Sequence, residues 1–356
     1  GQKGSEGMRN DVVIATANEP PTMAPHQHSA VAGGYMNILT HNTLFQSNIE
    51  TLAIEPCLVE SYEILGDKEW EFKLRKGVKF HNGEEMTTED VKASMEYARE
   101  NASFTNTYSN FWESIEIKDD YTFVVKTKEV YAKTLYDMGS HYVLPKSLLE
   151  SGEDISANPI GTGPYKFVKW TLGDKIEFEA FEDYWQGAPA IKHMTWRIIP
   201  EGSSRTIALE AGEVDFIVEV DNNDLSRLEE DEGISVINKT GTAFLFMVIN
   251  NEKFPFNNQD FRIAMNYAIN KDALVEVALN GAGTKNDSQT PDIFEGKATE
   301  GRYGYDIEKA KEYIEKSDID PTTVTFSCIC SDDVKRRCAE VIQANLQELG
   351  ITMNIE

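Results

Sequence analysis

Residues 69–99 have the most constrained pattern in this chain, because they combine the signals of a strand, a turn and a helix start. Apolar and charged side chains alternate over residues 70–74, and this period of two predicts a half-buried strand. The Asn82-Gly83 pair predicts a turn, since both residue types tolerate a positive φ. A capped helix should follow, because Thr87 and Asp90 have the spacing of a variant capping box.

The order of the residues in this segment is more specific than its pattern. The run W-x-F-x-L-R-x-G-V-x-F-H-N-G-E-x-x-T-x-E-D-V resembles the signature segment of the bacterial extracellular solute-binding proteins of family 5, which serve peptide and nickel ABC importers. Three later segments agree with that family in order and rough spacing: residues 159–165, 208–215 and 261–271. The resemblance therefore covers nearly the whole chain from residue 11 onward.

The resemblance implies an α/β fold of the type II periplasmic-binding-protein class, with two lobes and an extra small α+β lobe. We assign residues 1–10 to a polar linker or tag, 11–47 and 159–249 to the first α/β lobe, 48–158 to the small lobe and 250–356 to the second α/β lobe. The spacing of residues 194–218 predicts a βαβ unit with parallel strands. We expect the second lobe to be incomplete, because a strand pattern at 351–355 ends the chain where relatives continue.

The acidic composition limits the classes of partner. The chain has 60 acidic residues against 34 basic ones, and the formal charge of −26 repels phosphate backbones and anionic lipid headgroups. Nucleic acid is therefore excluded as a partner. No run of about 18 apolar residues occurs, so the sequence predicts no transmembrane helix. The resemblance implies an extracytoplasmic monomer, either periplasmic or attached to the cell surface as a lipoprotein.

Known catalytic motifs are absent from the sequence, which has no H-E-x-x-H, G-x-S-x-G, Walker A or C-x-x-C run. We therefore expect a binding protein without a cofactor rather than an enzyme. Two α/β lobes with a hinge at residues 250–255 favour capture of a solute by lobe closure. The resemblance makes a peptide the leading ligand and the permease subunits of an ABC importer the partners. Two alternatives remain open: a nickel or metallophore binder of the same family, and a ligand-sensing receptor domain or unrecognised enzyme.

The ligand site is predicted at the carboxyl end of the first sheet, where ligands bind in open α/β folds. Residues 11–16 predict a central strand, and a small-residue loop at 26–34 precedes a helix that starts near residue 35. Glycines at the end of that loop should let a ligand approach the backbone closely. A further strand is predicted at 243–249. The predicted ligand-binding residues are Ser29, Gly33, Gly34, Tyr35, Tyr108, Trp112, Asp221, Asn222, Thr242 and Phe244.

The sequence does not decide the roles of two groups of residues. Tyr108 and Trp112 can each present a ring to a ligand, or pack beneath a loop. The metal-binding alternative depends on His26 and His28, the histidines closest together in the sequence, but two imidazoles make a weak site without further ligands.

The sequence contains four cysteines, which could be free thiols or could form a disulfide. They are Cys57, Cys328, Cys330 and Cys338. Cys328 and Cys330 lie on one face of a predicted strand and Cys338 lies on the following helix, so a disulfide between strand and helix is allowed. We favour buried free thiols. A zinc site is disfavoured, since C-x-C-x7-C lacks the paired C-x2-C knuckles of such sites.

Overall fold

The computed structural model describes residues 10–101, 110–239, 241–288, 290–291, 293–294, 302–330 and 333–356. The chain forms two compact units, unit 1 (Gly1–Asp221) and unit 2 (Asn222–Glu356). Within the described residues, no helix is both long enough and apolar enough to cross a membrane.

Unit 1 contains most of the strands. They are β1 (Asp11–Thr16), β2 (Phe45–Ser47), β3 (Ile54–Pro56), β4 (Val59–Gly66), β5 (Glu69–Leu74), β6 (Trp112–Asp119), β7 (Thr122–Thr127), β8 (Tyr165–Thr171), β9 (Lys175–Ala180), β10 (His193–Ile198) and β11 (Phe216–Ile217). Its helices are α1 (Val31–Thr40), α2 (Thr88–Asn101), α3 (Thr134–Met138), α4 (Lys146–Ser151) and α5 (Gly202–Glu210).

Unit 2 is mainly helical. Its elements are α6 (Leu225–Glu229), α7 (Gln259–Ala268), α8 (Lys271–Ala273, continued by a π-helical turn Leu274–Ala278), α9 (Ile307–Ser317), a 3-10 turn (Pro321–Thr323), β12 (Thr325–Cys328), α10 (Asp333–Gln347) and β13 (Thr352–Ile355).

A five-stranded sheet, here called the main sheet, has the strand order β11-β1-β10-β9-β8. β1 runs parallel to β10 and to β11, whereas β9 is antiparallel to both of its neighbours. The βαβ unit predicted from the sequence is therefore confirmed as β10, α5 and β11. Met23, Met36 and Trp196 form part of the core on this sheet, and none of these side chains is more than 6% exposed.

A four-stranded antiparallel sheet, here called the small sheet, has the order β4-β5-β7-β6. Phe72 of β5 pairs with Phe123 of β7, and the two fully buried rings are 5.3 Å apart. Burial of one such side chain contributes about 1.5–3 kcal/mol. Val91 and Met95 of α2 belong to the same core, so this helix is held to the sheet by its apolar face.

The start of α2 has one half of the capping box that the sequence predicts, because Asp90 accepts hydrogen bonds from Thr87 while the Thr87 hydroxyl acts as a donor rather than as an acceptor. The backbone N–H of Thr87 donates to the Asp90 carboxylate over 2.8 Å, and the Thr87 hydroxyl donates to the same oxygen over 3.1 Å. This carboxylate satisfies an N–H group that the helix itself leaves unpaired. The predicted strand, turn and helix of residues 69–99 are confirmed.

The turn at residues 161–163 fixes the end of α1 against the turn that follows β5. A Cβ atom at Gly161 would collide with the Thr40 carbonyl oxygen and the His41 ring, and one at Gly163 would lie 2.5 Å from the Thr40 carbonyl carbon. The N–H of Gly163 donates to Thr40 O over 3.0 Å, and the N–H of His81 donates to Gly161 O over 2.9 Å. Only glycine allows backbones to approach this closely, which explains the Gly-Thr-Gly run.

Residues 243–249 are not a strand, and this corrects our prediction. Their backbone forms no ladder with another strand among the described residues. Residues 246–249 nevertheless alternate between solvent and core, because Phe246 and Val248 are 71% and 81% exposed while Met247 and Ile249 pack against the core of unit 2. The apolar run alone predicted a strand, but it contained no information about a pairing partner.

None of the four cysteines forms a disulfide, as favoured from the sequence, but only Cys57 is buried as expected, and Cys328, Cys330 and Cys338 are half-buried. Burial raises the pKa of Cys57 to about 11. Burial and the neighbouring Cys330 sulfur raise the pKa of Cys328. The affected thiols are therefore less reactive than an exposed cysteine, because the thiolate is the nucleophilic form.

Candidate functional site

The carboxyl ends of three parallel strands meet at one edge of the main sheet, here called the carboxyl edge. Residues 17–19 follow β1, residues 199–202 follow β10 and residues 218–221 follow β11. Polar groups that leave a sheet at such an edge converge on a common space. The carboxyl edge is therefore the part of unit 1 in which a ligand site can be assembled.

Arg205 of α5 holds two of these strand ends together. It is 5% exposed, and its guanidinium donates to the carbonyl oxygens of Ile199 (2.8 Å), Pro200 (3.0 Å) and Glu219 (2.8 Å). Charged donors form stronger hydrogen bonds than neutral ones. The buried arginine thus fixes the loop that carries Glu219, whose backbone has a φ of +60°.

Acidic side chains surround this arrangement. Glu201 caps α5 by accepting the N–H of Ser204 over 2.7 Å, and hydrogen bonds from Ser203 and Ser204 lower the pKa of Glu201 to about 2. Asp221 lies beside the start of the same helix, because a Cβ atom at Gly202 would be 3.1 Å from the Asp221 carboxylate. The carboxyl edge therefore presents negative charge at neutral pH.

Helix α1 begins at Val31, four residues earlier than predicted, so Gly33 and Gly34 are helical rather than part of a loop. Gly33 is a packing glycine, because a Cβ atom there would collide with the His28 ring. The prediction that Gly33 leaves room for a ligand is therefore wrong. Gly34 differs, since a Cβ atom there would meet no atom within 4 Å. Ser29 is exposed just before the helix.

One face of α1 is apolar and open to solvent. Val31 is 64% exposed and Ile38 is 67% exposed, and Gly34 lies between them at the spacing of a single helix face. We call Val31, Gly34 and Ile38 the α1 face. Apolar side chains this exposed are compatible with ligand contact, although single exposed apolar residues are common on protein surfaces.

Tyr35 links α1 to the carboxyl edge. Its ring stacks on Trp196 of β10, with centroids 5.5 Å apart and planes 23° apart. Burial raises the pKa of Tyr35, and the negative charge of Glu219 raises it further. The structure therefore brings together Tyr35, Glu219 and the end of β10, which the sequence had placed in separate segments.

The predicted site residue Trp112 lies elsewhere. It is 2% exposed within the core of the small sheet, and the Arg99 guanidinium lies over its ring. The protein itself covers the ring of Trp112, so the prediction that this ring contacts a ligand is wrong. Tyr108 lies outside the described residues.

The last three predicted site residues belong to unit 2. Asn222 donates from Nδ2 to Leu279 O over 3.4 Å. Thr242 is exposed, and the ring of Phe244, which is 39% exposed, lies 5.3 Å from the ring of Phe246. None of these contacts tests whether Asn222, Thr242 and Phe244 bind a ligand, so their role remains a prediction.

His26 and His28, the histidines proposed for metal binding, contact different residues. His26 is 1% exposed and packs between Tyr97 and Tyr142, at centroid distances of 6.1 and 5.9 Å. His28 lies over Gly33 and is 3.4 Å from the amide nitrogen of Asn37. Among the described residues, no group of three or more His, Cys, Asp or Glu side chains is arranged to hold a metal ion. The structure does not support a joint metal contact at His26 and His28.

Arg205, Glu201 and Glu219 were absent from the residues predicted from the sequence. An arginine on a helix after a strand is usually exposed, and no local pattern distinguished Arg205 from such a residue. Glu201 did carry a signal, because it precedes a Ser-Ser pair at the start of a predicted helix.

Comparison with known proteins gives concordant results. The family described as bacterial extracellular solute-binding proteins, family 5 middle, matches residues 53–356. A heme-binding protein A from Haemophilus influenzae is 30% identical over 382 residues, covering 97% of this chain and 70% of that protein. A glutathione-binding protein, GsiB, from Pectobacterium atrosepticum is 28% identical over 306 residues, covering 84% of this chain and 60% of that protein. The chain thus spans between 60% and 70% of the length of these two relatives.

Two solved structures are similar over 97% of the chain. The periplasmic binding protein DppA from Helicobacter pylori, in complex with the peptide STSA, is 28% identical with a TM-score of 0.83, and 73% of that chain is covered. The binding protein AgaA from A. tumefaciens R10, in complex with agropinic acid, is 26% identical with a TM-score of 0.81, and 72% of that chain is covered.

Proposed function

The chain belongs to the bacterial extracellular solute-binding proteins of family 5, and from this we propose that it captures peptides outside the cytoplasm for an ABC importer. The type II periplasmic-binding-protein fold expected from the sequence is confirmed by its similarity to solved binding proteins. The permease subunits of the importer are the proposed partners. We also propose that the protein acts as a monomer and is attached to the membrane by a lipid anchor.

The observation that carries the peptide proposal is the position of an acidic edge next to an apolar helix in unit 1. Glu219 acts on Tyr35 of α1, and Asp221 lies beside the start of α5. A free amino group would be attracted to these carboxylates, and apolar side chains would pack on the α1 face. A peptide carries both kinds of group, together with amides that can bond to main-chain groups at strand ends.

Two of the four similar proteins support this class of ligand by name, whereas the names of the other two refer to heme and agropinic acid. The Helicobacter protein was solved with a tetrapeptide, and glutathione, which the Pectobacterium protein binds, is itself a peptide. The nickel alternative receives no support from the geometry of His26 and His28 described above. A small-molecule sensor or an enzyme has no observation in its favour, since no catalytic motif is present in the sequence.

A retention experiment tests the proposal. The chain is incubated with a pool of dipeptides and oligopeptides, separated from free ligand, denatured and examined by mass spectrometry. We expect selected peptides to be retained, and their addition to raise the melting temperature by mass action. Retention of no peptide, together with stabilisation by a nickel–histidine complex or by hemin, would overturn the proposal.

A further inference from the structure

Unit 1 contains a group of buried histidines that the ligand site does not use. His26 follows β1, His41 caps the end of α1, and His141 precedes α4; each is 1% exposed. A fourth, His81, is half-buried and lies in the turn after β5. We call His26, His41, His81 and His141 the histidine cluster.

Tyr142 connects two members of the cluster, and the other two have aromatic neighbours of their own: the His141 ring lies 6.3 Å from the Phe111 ring, and the His81 ring lies 5.1 Å from the Phe181 ring. The Tyr142 ring is 5.9 Å from the His26 ring and 6.0 Å from the His41 ring. His26 also packs edge-on to Tyr97 of α2 at 6.1 Å. The cluster therefore forms a contact in which α1 and the loop before it meet α2 and residues 139–145.

The ring nitrogens in this contact have few hydrogen-bond partners. Both nitrogens of His26 and of His141, and Nε2 of His41, have none among the described residues. Nδ1 of His41 lies 2.7 Å from the Thr40 hydroxyl, and Nε2 of His81 lies 3.0 Å from Gly163 O. A proton added to His26 or His141 would create a buried charge with no acceptor for its N–H groups, which is far more costly than a buried neutral ring.

The groups that face the cluster do not offset such a charge. Arg99 of α2 acts on His141, and Lys166 of β8 acts on His81, so both nearby charges are positive. The uncharged groups around the cluster include the rings of Tyr97, Tyr142, Phe111 and Phe181, the Asn37 amide near His28 and Tyr142, and the backbone carbonyls of residues 159 and 163. The buried carboxylate of Asp137 in α3, four residues before His141, accepts a hydrogen bond from the Tyr131 hydroxyl. Glu96 and Glu100 act on the Arg99 guanidinium.

We propose that the histidine cluster is an acid-sensitive latch, in which uncharged rings hold α1 and its preceding loop against α2 and residues 139–145, and protonation opens this contact. Opening would displace α1, because His41 is the residue at which this helix ends. It would also separate the rings from the glycine turn at 161–163 that packs against His41.

The direction of the pH effect follows from burial. Burial is the largest cause in each case: it lowers the pKa of His26 to about 3, those of His81 and His141 to about 4, and that of His41 well below its usual value. In the unfolded chain these groups bind protons near pH 6.5. The stability contributed by the neutral cluster is complete above pH 6.5 and is lost as the pH falls from there toward 4.

Denaturant unfolding between pH 8 and pH 5 tests the latch, since most carboxylates titrate below this window. All 5 tryptophans lie in unit 1, so their fluorescence reports on that unit specifically. We expect the unfolding constant to rise about tenfold per pH unit for each cluster histidine below pH 6. His26→Phe and His141→Leu should each remove about one such factor of ten. His193→Gln, at an exposed histidine of β10, is the matched control and should leave the slope unchanged.

Two outcomes would overturn the latch. One is a pH slope that stays the same in both cluster variants. The other is a cluster histidine whose imidazole NMR signal shows protonation above pH 5.5 while the chain remains folded. The NMR titration uses the unaltered chain, so it decides the matter even where a variant fails to fold.

Discussion

Tyr35 of α1 stacks on Trp196 of β10, with ring centroids 5.5 Å apart and planes 23° apart. This stack fixes the first turns of the helix against the strand whose carboxyl end leads to Glu201 and Arg205. The open α1 face and the acidic carboxyl edge consequently have a defined relationship within unit 1.

The first expectation concerns the open position in α1. Gly34→Val should reduce peptide affinity at least about tenfold, because the added side chain fills the space where a ligand would approach, and such a change equals about 1.4 kcal/mol. The free energy of unfolding should change by less than about 0.5 kcal/mol, since no atom lies within 4 Å of the new Cβ.

The neighbouring glycine provides the matched control. Gly33→Ala should destabilise unit 1 by about 1–3 kcal/mol, because its methyl group collides with the His28 ring. Calorimetry and tryptophan-detected unfolding separate the two effects. Unchanged affinity in Gly34→Val would remove the α1 face from the ligand site.

The second expectation concerns the glycine turn. Gly161→Ala should cost about 3 kcal/mol of stability, because its methyl group meets the Thr40 carbonyl, which is backbone and cannot turn aside. Gly66→Ala is the control, since its Cβ has open space, and it should lie within about 0.5 kcal/mol of the original chain. Equal unfolding midpoints for the two variants would show that the turn accommodates the added methyl group without loss of stability.

The third expectation concerns Arg205. Arg205→Ala should destabilise unit 1 by about 2–4 kcal/mol, because three backbone carbonyls lose a buried charged donor. It should also weaken peptide binding, since the loop carrying Glu219 loses its support. Arg197→Ala removes only a surface ion pair with Glu213 and should cost less than about 1 kcal/mol. A similar loss in both variants would contradict the structural role of Arg205.

The fourth expectation concerns the charge at the carboxyl edge. Glu219→Gln should lower the pKa of Tyr35, because it removes one of the two causes that raise it. NMR of ring-labelled tyrosine, with Tyr35→Phe for assignment, measures this shift. A Tyr35 titration that is identical in the variant would place Glu219 too far away to act on the ring or on a ligand.

The sequence predicted those parts of the fold whose signals are local. The alternation and turn of residues 69–99 and one half of the capping box appear as predicted, because each depends on neighbours within a few residues. The start of α1 was missed because two glycines weaken a helical pattern. Packing against His28 provides a tertiary reason for Gly33, but not for Gly34, and the sequence cannot display it.

The candidate site was less predictable than the fold. Tyr35, Ser29 and Gly34 were placed near a strand end from topology alone, and the structure positions them on or beside α1. Trp112 was misassigned because an aromatic residue next to a polar loop can face either side. Arg205 was missed because its burial depends on the ends of β10 and β11 meeting around one side chain, and this arrangement exists only once the βαβ unit has folded.

The most direct test of peptide capture at this edge is isothermal titration with one retained peptide and its N-acetylated form. We expect the free-amino peptide to bind the unaltered chain more tightly than the acetylated one, with this preference reduced in Glu219→Gln, because the carboxylate attracts an ammonium group. Binding that is equally tight for both peptides, and unaffected by Glu219→Gln and Gly34→Val, would contradict the proposed site.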